Sequence, residues 1–246
     1  MKSLSPDRTR THYWLTLLAI FSLGLGLRIA DYVNKPCLSL DSALYVDCAE
    51  AVELPQSVRN GFWRLPHIYF LKIGPRLGMR VQDFGVAVNI FCGAFAGVLI
   101  MAVARRAAIP GGFWAGLMLA TFPKFIDWST EVQRDMPFIV FVLASLYYFF
   151  AALDAGSIWY GVLSAAALFF AFLMRVEAID VILALTAADI AIVLRYKRYR
   201  TLLDVAVRVA VLAVLFTGYF FAISYVAGSR PDVKFGQIMH NWKLRR

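Results

Sequence analysis

The stretch TEVQRDMPF, residues 130–138, sets Glu131, Arg134 and Asp135 inside a strongly apolar part of the chain, between FPKFIDW and IVFVLASLYYFF. Ionisable groups at a membrane boundary are costly to expose to lipid and usually face a cavity or one another. Two other stretches place charge in a similar setting: LDSALYVDCAE carries Asp41, Asp47 and Glu50, and LMRVEAID carries Arg175, Glu177 and Asp180. Carboxylates and guanidinium groups brought together at the edge of an apolar body would form one shared polar site. Each residue also has a purely structural reading. Asp41 stands just before a helical pattern, where an aspartate is commonly an N-cap. Asp135 opens an apolar segment and would favour the helix dipole, while Arg134 can snorkel.

The elements that must carry these groups follow from composition. Of 246 residues, 61% are hydrophobic and 17% charged, against about half and a quarter in soluble domains. That composition is that of an integral membrane protein. The net charge of +9 is spread between apolar blocks and forms no arginine-rich tract, which argues against nucleic acid and for a membrane surface. Seven stretches reach the roughly 17–25 residues of a membrane span: 14–30, 84–104, 111–128, 136–153, 158–174, 178–194 and 202–226. The first is too long for a signal-peptide core and has no small-residue cleavage site after it, so it is expected to be retained.

An inside amino terminus places Lys2, Arg8, Arg10, Arg105, Arg106, Arg195, Lys197, Arg198 and Arg200 on the cytoplasmic side, in keeping with the positive-inside rule. The acids of the first, second and third outside connections then share the opposite face. The first connection, 31–83, is far longer than the others. Within it, 41–54 puts Leu44, Cys48 and Val52 on one helical face and Asp47, Glu50 and Glu53 on another, and 62–74 is an aromatic stretch suited to the headgroup level. The expectation is an all-α polytopic membrane protein, 1–246 as one module, with about seven transmembrane helices and amphipathic interfacial helices in that loop.

His67 reads as an interfacial residue, since no second histidine lies nearby and no metal site can be inferred. The three cysteines show no CxxC pair or zinc spacing, which leaves only a Cys37–Cys48 pairing open. In the second span Gly85, Asn89, Gly93 and Gly97 recur every four residues, so that face is expected to pack against another helix. Asp189 and Arg208 fall at matching depths of adjacent antiparallel spans and are expected to pair.

The order of these motifs resembles the amino-terminal half of the GT-C membrane glycosyltransferases, in particular the protein O-mannosyltransferases and the lipid A aminoarabinose transferase. LRIADYVNKPCLSLDSALYVDCAEAV is similar to the end of their first span and the outside motif of an aspartate, small residue and tyrosine; Asp41 and Tyr45 fit, and Ser42 replaces the usual glutamate. LPHIYFLKIGPRLG matches the family's proline-rich segment at Pro66 and Tyr69, with His67 at the second proline. FPKFIDWSTEVQRDMPFIVF resembles the second outside loop. LMRVEAID resembles an arginine, any residue, glutamate motif, with Arg175 and Glu177 in place.

The resemblance implies transfer of a sugar from a polyprenyl-phosphate carrier to an acceptor protein or glycolipid on the outer face of the cell's inner (plasma) membrane. The donor is a lipid-linked substrate, and no cofactor is implied; a divalent metal is possible but not indicated. Asp41 would be the base. Tyr45, Glu131, Asp135 and Glu177 would position donor or acceptor, and Arg134 and Arg175 would neutralise the phosphate. The family's carboxy-terminal half is expected to be missing from this chain. Two other functions compete: a noncatalytic fragment or subunit that binds carrier lipid, and a small transporter using charges such as Asp189 and Arg208.

Overall fold

A computed structural model describes residues 6–35, 38–51, 65–196 and 200–226. Every regular element among them is a helix: α1 (Pro6–Asn34), α2 (Leu40–Glu50), α3 (Leu65–Leu71), α4 (Ile73–Arg76), α5 (Val81–Arg106), α6 (Gly112–Thr121), α7 (Pro123–Ser129), α8 (Asp135–Ala155), α9 (Ile158–Met174), α10 (Ala178–Tyr196) and α11 (Arg200–Val226). Among the described residues four helical segments are long and apolar enough to cross a membrane: Thr11–Asn34, Val81–Arg106, Asp135–Ala155 and Val205–Ala222. Gly112–Thr121 and Ile158–Met174 are shorter apolar helices. The chain is an all-helical polytopic membrane protein.

The long helix α5 lies at the centre, packed on α1, α6 and α8; α8 packs on α9, and α9 on α11. Its ends suit the helix dipole, with Asp83 in the first turn and Arg105 and Arg106 in the last. Gly85, Asn89, Gly93 and Gly97 are all buried along it, so the small-residue face is a packing face. A Cβ at Gly97 would stand 3.1 Å from the Gly116 carbonyl oxygen of α6, and one at Gly116 would stand 2.7 Å from that of Gly97. Backbones can approach this closely only where side chains are absent, and in lipid such packing is a main source of helix association. Between α8 and α9 the contact includes Ser145 and Ser164, whose hydroxyls meet at 3.1 Å.

Two expectations are corrected. The third stretch, 111–128, is not one helix: α6 stops at Thr121 and α7 begins at Pro123, with Phe122 extended between them. Proline lacks an N–H and is well suited to the first turn of a new helix, so Pro123 ends one segment and opens the next. In the first connection, α2 buries Ser42, Tyr45, Val46, Cys48 and Ala49, while Leu44 is 42% exposed. The buried face is thus rotated from the one read in the apolar pattern, because α2 docks through Ser42 and Tyr45 and leaves Leu40 and Leu44 outward. Val52, Glu53, Phe62 and Cys37, with the pairing suggested for it, lie outside the described residues.

Asp189 and Arg208 form the expected ion pair between α10 and α11, and both are buried. The Arg208 guanidinium also sits 4.9 Å from the centre of the Phe149 ring.

Candidate active site

Helix order brings the ends of α1, α7 and α9 to the starts of α8 and α10, and α2 is fastened to the same end. The five residues 130–134 join α7 to α8. Glu131 is 6% exposed and works as a latch: its Oε2 accepts from the Ser39 backbone N–H at 2.9 Å and from the Ser42 hydroxyl at 2.6 Å. Its Oε1 lies 3.0 Å from Lys35 Nζ. Ser42 Oγ in turn accepts from the Val132 N–H at 3.1 Å. Burial alone would raise the Glu131 carboxyl, but the bonds from Ser42 and Ser39 and the Lys35 ammonium outweigh it and hold it below the usual glutamate value.

Lys35, just past α1, also meets Asp127 Oδ1 at 2.7 Å and Thr130 Oγ1 at 3.1 Å. The Thr130 hydroxyl lies 2.8 Å from Asp31 Oδ2. From the other side, the Asn89 amide donates to the carbonyls of Glu131 and Gln133, the latter at 2.9 Å. The 130–134 link is therefore held by α1, α2 and α5 at once.

Ser39 is the N-cap of α2, its hydroxyl accepting from the Ser42 N–H. This corrects the capping alternative for Asp41, which sits one position inside the helix, in its first turn. Asp41 is exposed and has no hydrogen bond or ion pair among the described residues. Tyr45 follows one turn later, buried, with the Arg134 guanidinium 5.8 Å from its ring centre. Against its other side lies His67, whose ring is 5.1 Å away, edge to face. His67 is buried, not interfacial, and neither ring nitrogen has a partner among the described residues. Burial, and then the Arg134 charge, push its imidazole down to about 3, so it is neutral.

Arg175 closes α9 in an extended conformation and gathers two carboxylates. Nε and Nη2 donate to Glu177 at 3.3 and 3.1 Å, and Nη1 donates to Asp135. Glu177 first, together with Asp135, raises the guanidinium above its ordinary value. Asp135 thus combines its structural place in the first turn of α8 with an ion pair across to the third connection. Three of the five N–H groups of Arg175 are used among the described residues, which leaves two without a partner there.

The charged residues singled out from sequence therefore fall into two linked sets. Glu131 holds the start of the helix that bears Asp41 and Tyr45. Asp135, Arg175 and Glu177 form the second set, and Arg134 stands between the two with its charge acting on both His67 and Glu177. Among the described residues no group of three or more His, Cys, Asp or Glu is placed to hold a metal ion.

Sequence reasoning missed Arg28 and Lys35. Arg28 is wholly buried in α1 and donates to Ser129 Oγ at 3.0 Å and to the carbonyls of Gly24, Leu119 and Ala120 at 2.8, 3.2 and 3.0 Å. Leu119 and Ala120 are in the last turn of α6, whose carbonyls the break at Pro123 leaves without helical donors. The available signal was a lone arginine inside an apolar span; its acceptors, being mostly backbone, leave no trace in side-chain type.

Comparison with curated proteins and with solved structures gives no match. A family model does match, described as dolichyl-phosphate-mannose-protein mannosyltransferase, over residues 66–227. The range takes in Pro66, Glu131, Arg134, Asp135, Arg175 and Glu177 and leaves Asp41 and Tyr45 before it. The family is of the GT-C type of membrane glycosyltransferase. With most of its length inside the match, and with charged loops gathered at one end of a helical bundle, the chain belongs to the dolichyl-phosphate-mannose-protein mannosyltransferase family.

Proposed function

We propose that the chain transfers a sugar from a polyprenyl-phosphate carrier to a hydroxyl acceptor at the end of the bundle where Asp41, Glu131, Asp135 and Glu177 gather, on the outer face of the membrane. Asp41 takes the proton of the acceptor hydroxyl as its oxygen bonds to the anomeric carbon. The bond from that carbon to the phosphate oxygen breaks, and the electron pair leaves with the polyprenyl phosphate. Arg175 offers its two remaining N–H groups to the departing phosphate, held in orientation by Asp135 and Glu177, and Arg134 adds a second positive charge. Glu131 and Tyr45 position the helix that carries the base.

The observation that carries this reading is the contrast between two neighbouring carboxylates. Glu131 is buried and has both oxygens engaged, so its work is structural, whereas Asp41, next to the Ser42 that Glu131 grips, is exposed and has no partner among the described residues. A base must be able to reach its proton.

The test uses the full chain in lipid nanodiscs with a labelled polyprenyl-phosphate sugar, scoring binding and transfer separately. Asp41→Asn should retain binding and lower transfer by about 10²-fold or more. Undiminished transfer would remove Asp41 from the reaction, and binding without transfer by the unaltered chain would favour a noncatalytic carrier-lipid protein. The transporter reading receives no support from Asp189 and Arg208, which are closed on one another inside the bundle.

A further inference from the structure

At the opposite end of the bundle, a groove of about 770 Å³ opens between α1, α5 and α8. That volume is within the roughly 300–1,000 Å³ of ordinary ligand sites. Its inner walls are apolar, made by Leu17, Phe95, Val98 and Leu99, and its charged groups, Arg105, Arg106 and Asp154, all belong to the terminal turns of α5 and α8. Phe95 lies eleven residues before Arg106, or about 16 Å along the helix. The groove is therefore polar at one end and apolar along its depth, the profile of an amphiphile.

The charge at its mouth is unbalanced. Asp154 meets Arg106 at 3.4 Å, while Arg105 has no carboxylate within ion-pair distance among the described residues. The Arg105 guanidinium is laid over the Tyr13 ring at 3.8 Å, and that of Arg106 lies 5.5 Å from the Tyr147 ring centre. Aromatic rings hold both arginines by the face and leave their edges for an anion. Trp14, 59% exposed beside the same mouth, suits the headgroup level of a bilayer.

We propose that this groove is a binding site for an anionic glycerophospholipid of the surrounding membrane, its phosphate between Arg105 and Arg106 and one acyl chain running inward toward Phe95. A soluble phosphate would meet the arginines but leave the apolar depth empty, and a zwitterionic lipid would fill the depth but add a cation at a mouth already positive. Basic pockets between transmembrane helices are suited to acidic headgroups for this reason.

The full chain, purified in neutral detergent, is offered equimolar phosphatidylglycerol and phosphatidylcholine, and bound lipid is counted by native mass spectrometry. Phosphatidylglycerol should be bound in excess by on the order of tenfold. The double variant Arg105→Gln, Arg106→Gln should bring the two lipids close to parity. Arg195→Gln, which removes one positive charge from the last turn of α10, outside the groove lining, should leave the preference intact. Ala102→Trp, filling the groove with both arginines present, should lose it as well. The proposal is overturned if no preference exists, if Arg195→Gln abolishes it equally, if Ala102→Trp keeps it, or if glycerol phosphate in excess displaces the lipid as readily as phosphatidylglycerol does.

Discussion

Among the described residues two arginines are buried within helices of this bundle, and they are accommodated in opposite ways. Arg208 on α11 is met by a carboxylate, Asp189 on α10. Arg28 on α1 is met by a hydroxyl and three backbone carbonyls, two of them in the last turn of α6. The first arrangement is a pair of side chains that cancel one another. The second is a charge used to complete a helix that stops early, since a guanidinium can reach several acceptors from one plane and favours the negative end of the dipole. Buried charge near the middle of a bundle therefore has no single meaning: one arginine neutralises a neighbour, and the other makes a broken span possible.

If that contrast holds, removing Arg28 is the more damaging change. Arg28→Leu leaves the Leu119 and Ala120 carbonyls and the Ser129 hydroxyl without their donor, and should cost on the order of 5 kcal/mol, seen as lost folding yield and earlier unfolding in mixed micelles. Arg28→Lys should recover little of it, because an ammonium cannot span acceptors spread across a planar fork. Asp189→Ala should cost about 3–4 kcal/mol by the same measurement, for it strands the Arg208 charge. The sharper comparison is the double variant Asp189→Leu, Arg208→Leu, expected to lie within about 1 kcal/mol of the unaltered chain or above it. No such double replacement exists for Arg28, and a collapse of the Leu pair would erase the distinction.

Glycine substitutions probe the Arg28 knot from the neighbouring helix. A Cβ at Gly93 would fall 2.6 Å from Arg28 Nε and against the Ser129 hydroxyl, whereas one at Gly26 meets nothing within 4 Å. Gly93→Ala should therefore destabilise by about 1–3 kcal/mol, and Gly26→Ala should be neutral or stabilising by up to ~1 kcal/mol. Equal effects would show that close approach at Gly93 does not matter.

The smallest expected effect concerns acid. Glu131 is held below its ordinary value in the folded state, so its contribution is complete above that ordinary value and is lost as pH falls through the depressed one. Hydrogen exchange of α2 should quicken as pH is lowered from about 5 toward 3, relative to intrinsic rates, and Glu131→Gln should flatten that dependence.

How far these features could be read in advance depends on the kind of contact. Helix α9 was legible to the residue, 158–174, because a continuous apolar run ends at charged Arg175. The Asp189–Arg208 pair was legible because opposite charges at matched depth in neighbouring spans have few other solutions. The break at Phe122–Pro123 was not, since apolar residues continue on both sides and only the backbone is interrupted. Within the site, the charged turns pointed to one end of the bundle, but the Ser39, Ser42 and Glu131 latch joins residues about ninety positions apart through serine hydroxyls. Serine is too common in loops for its type to announce such a bond. Asp41 was singled out by family likeness; the fold leaves it exposed, as it does Asp47 and Glu50 of the same helix, and adds that Asp41 adjoins Ser42, the residue that Glu131 grips.

Helix α9 has one more consequence. Its 17 residues rise about 26 Å, short of the roughly 30 Å hydrocarbon thickness of a typical bilayer. A span that is too short is accommodated by local thinning of the membrane around it. On the proposed function, that thinning would bring a phosphate carried in the leaflet level with the guanidinium of Arg175, the first residue after α9, while its hydrocarbon tail stays immersed.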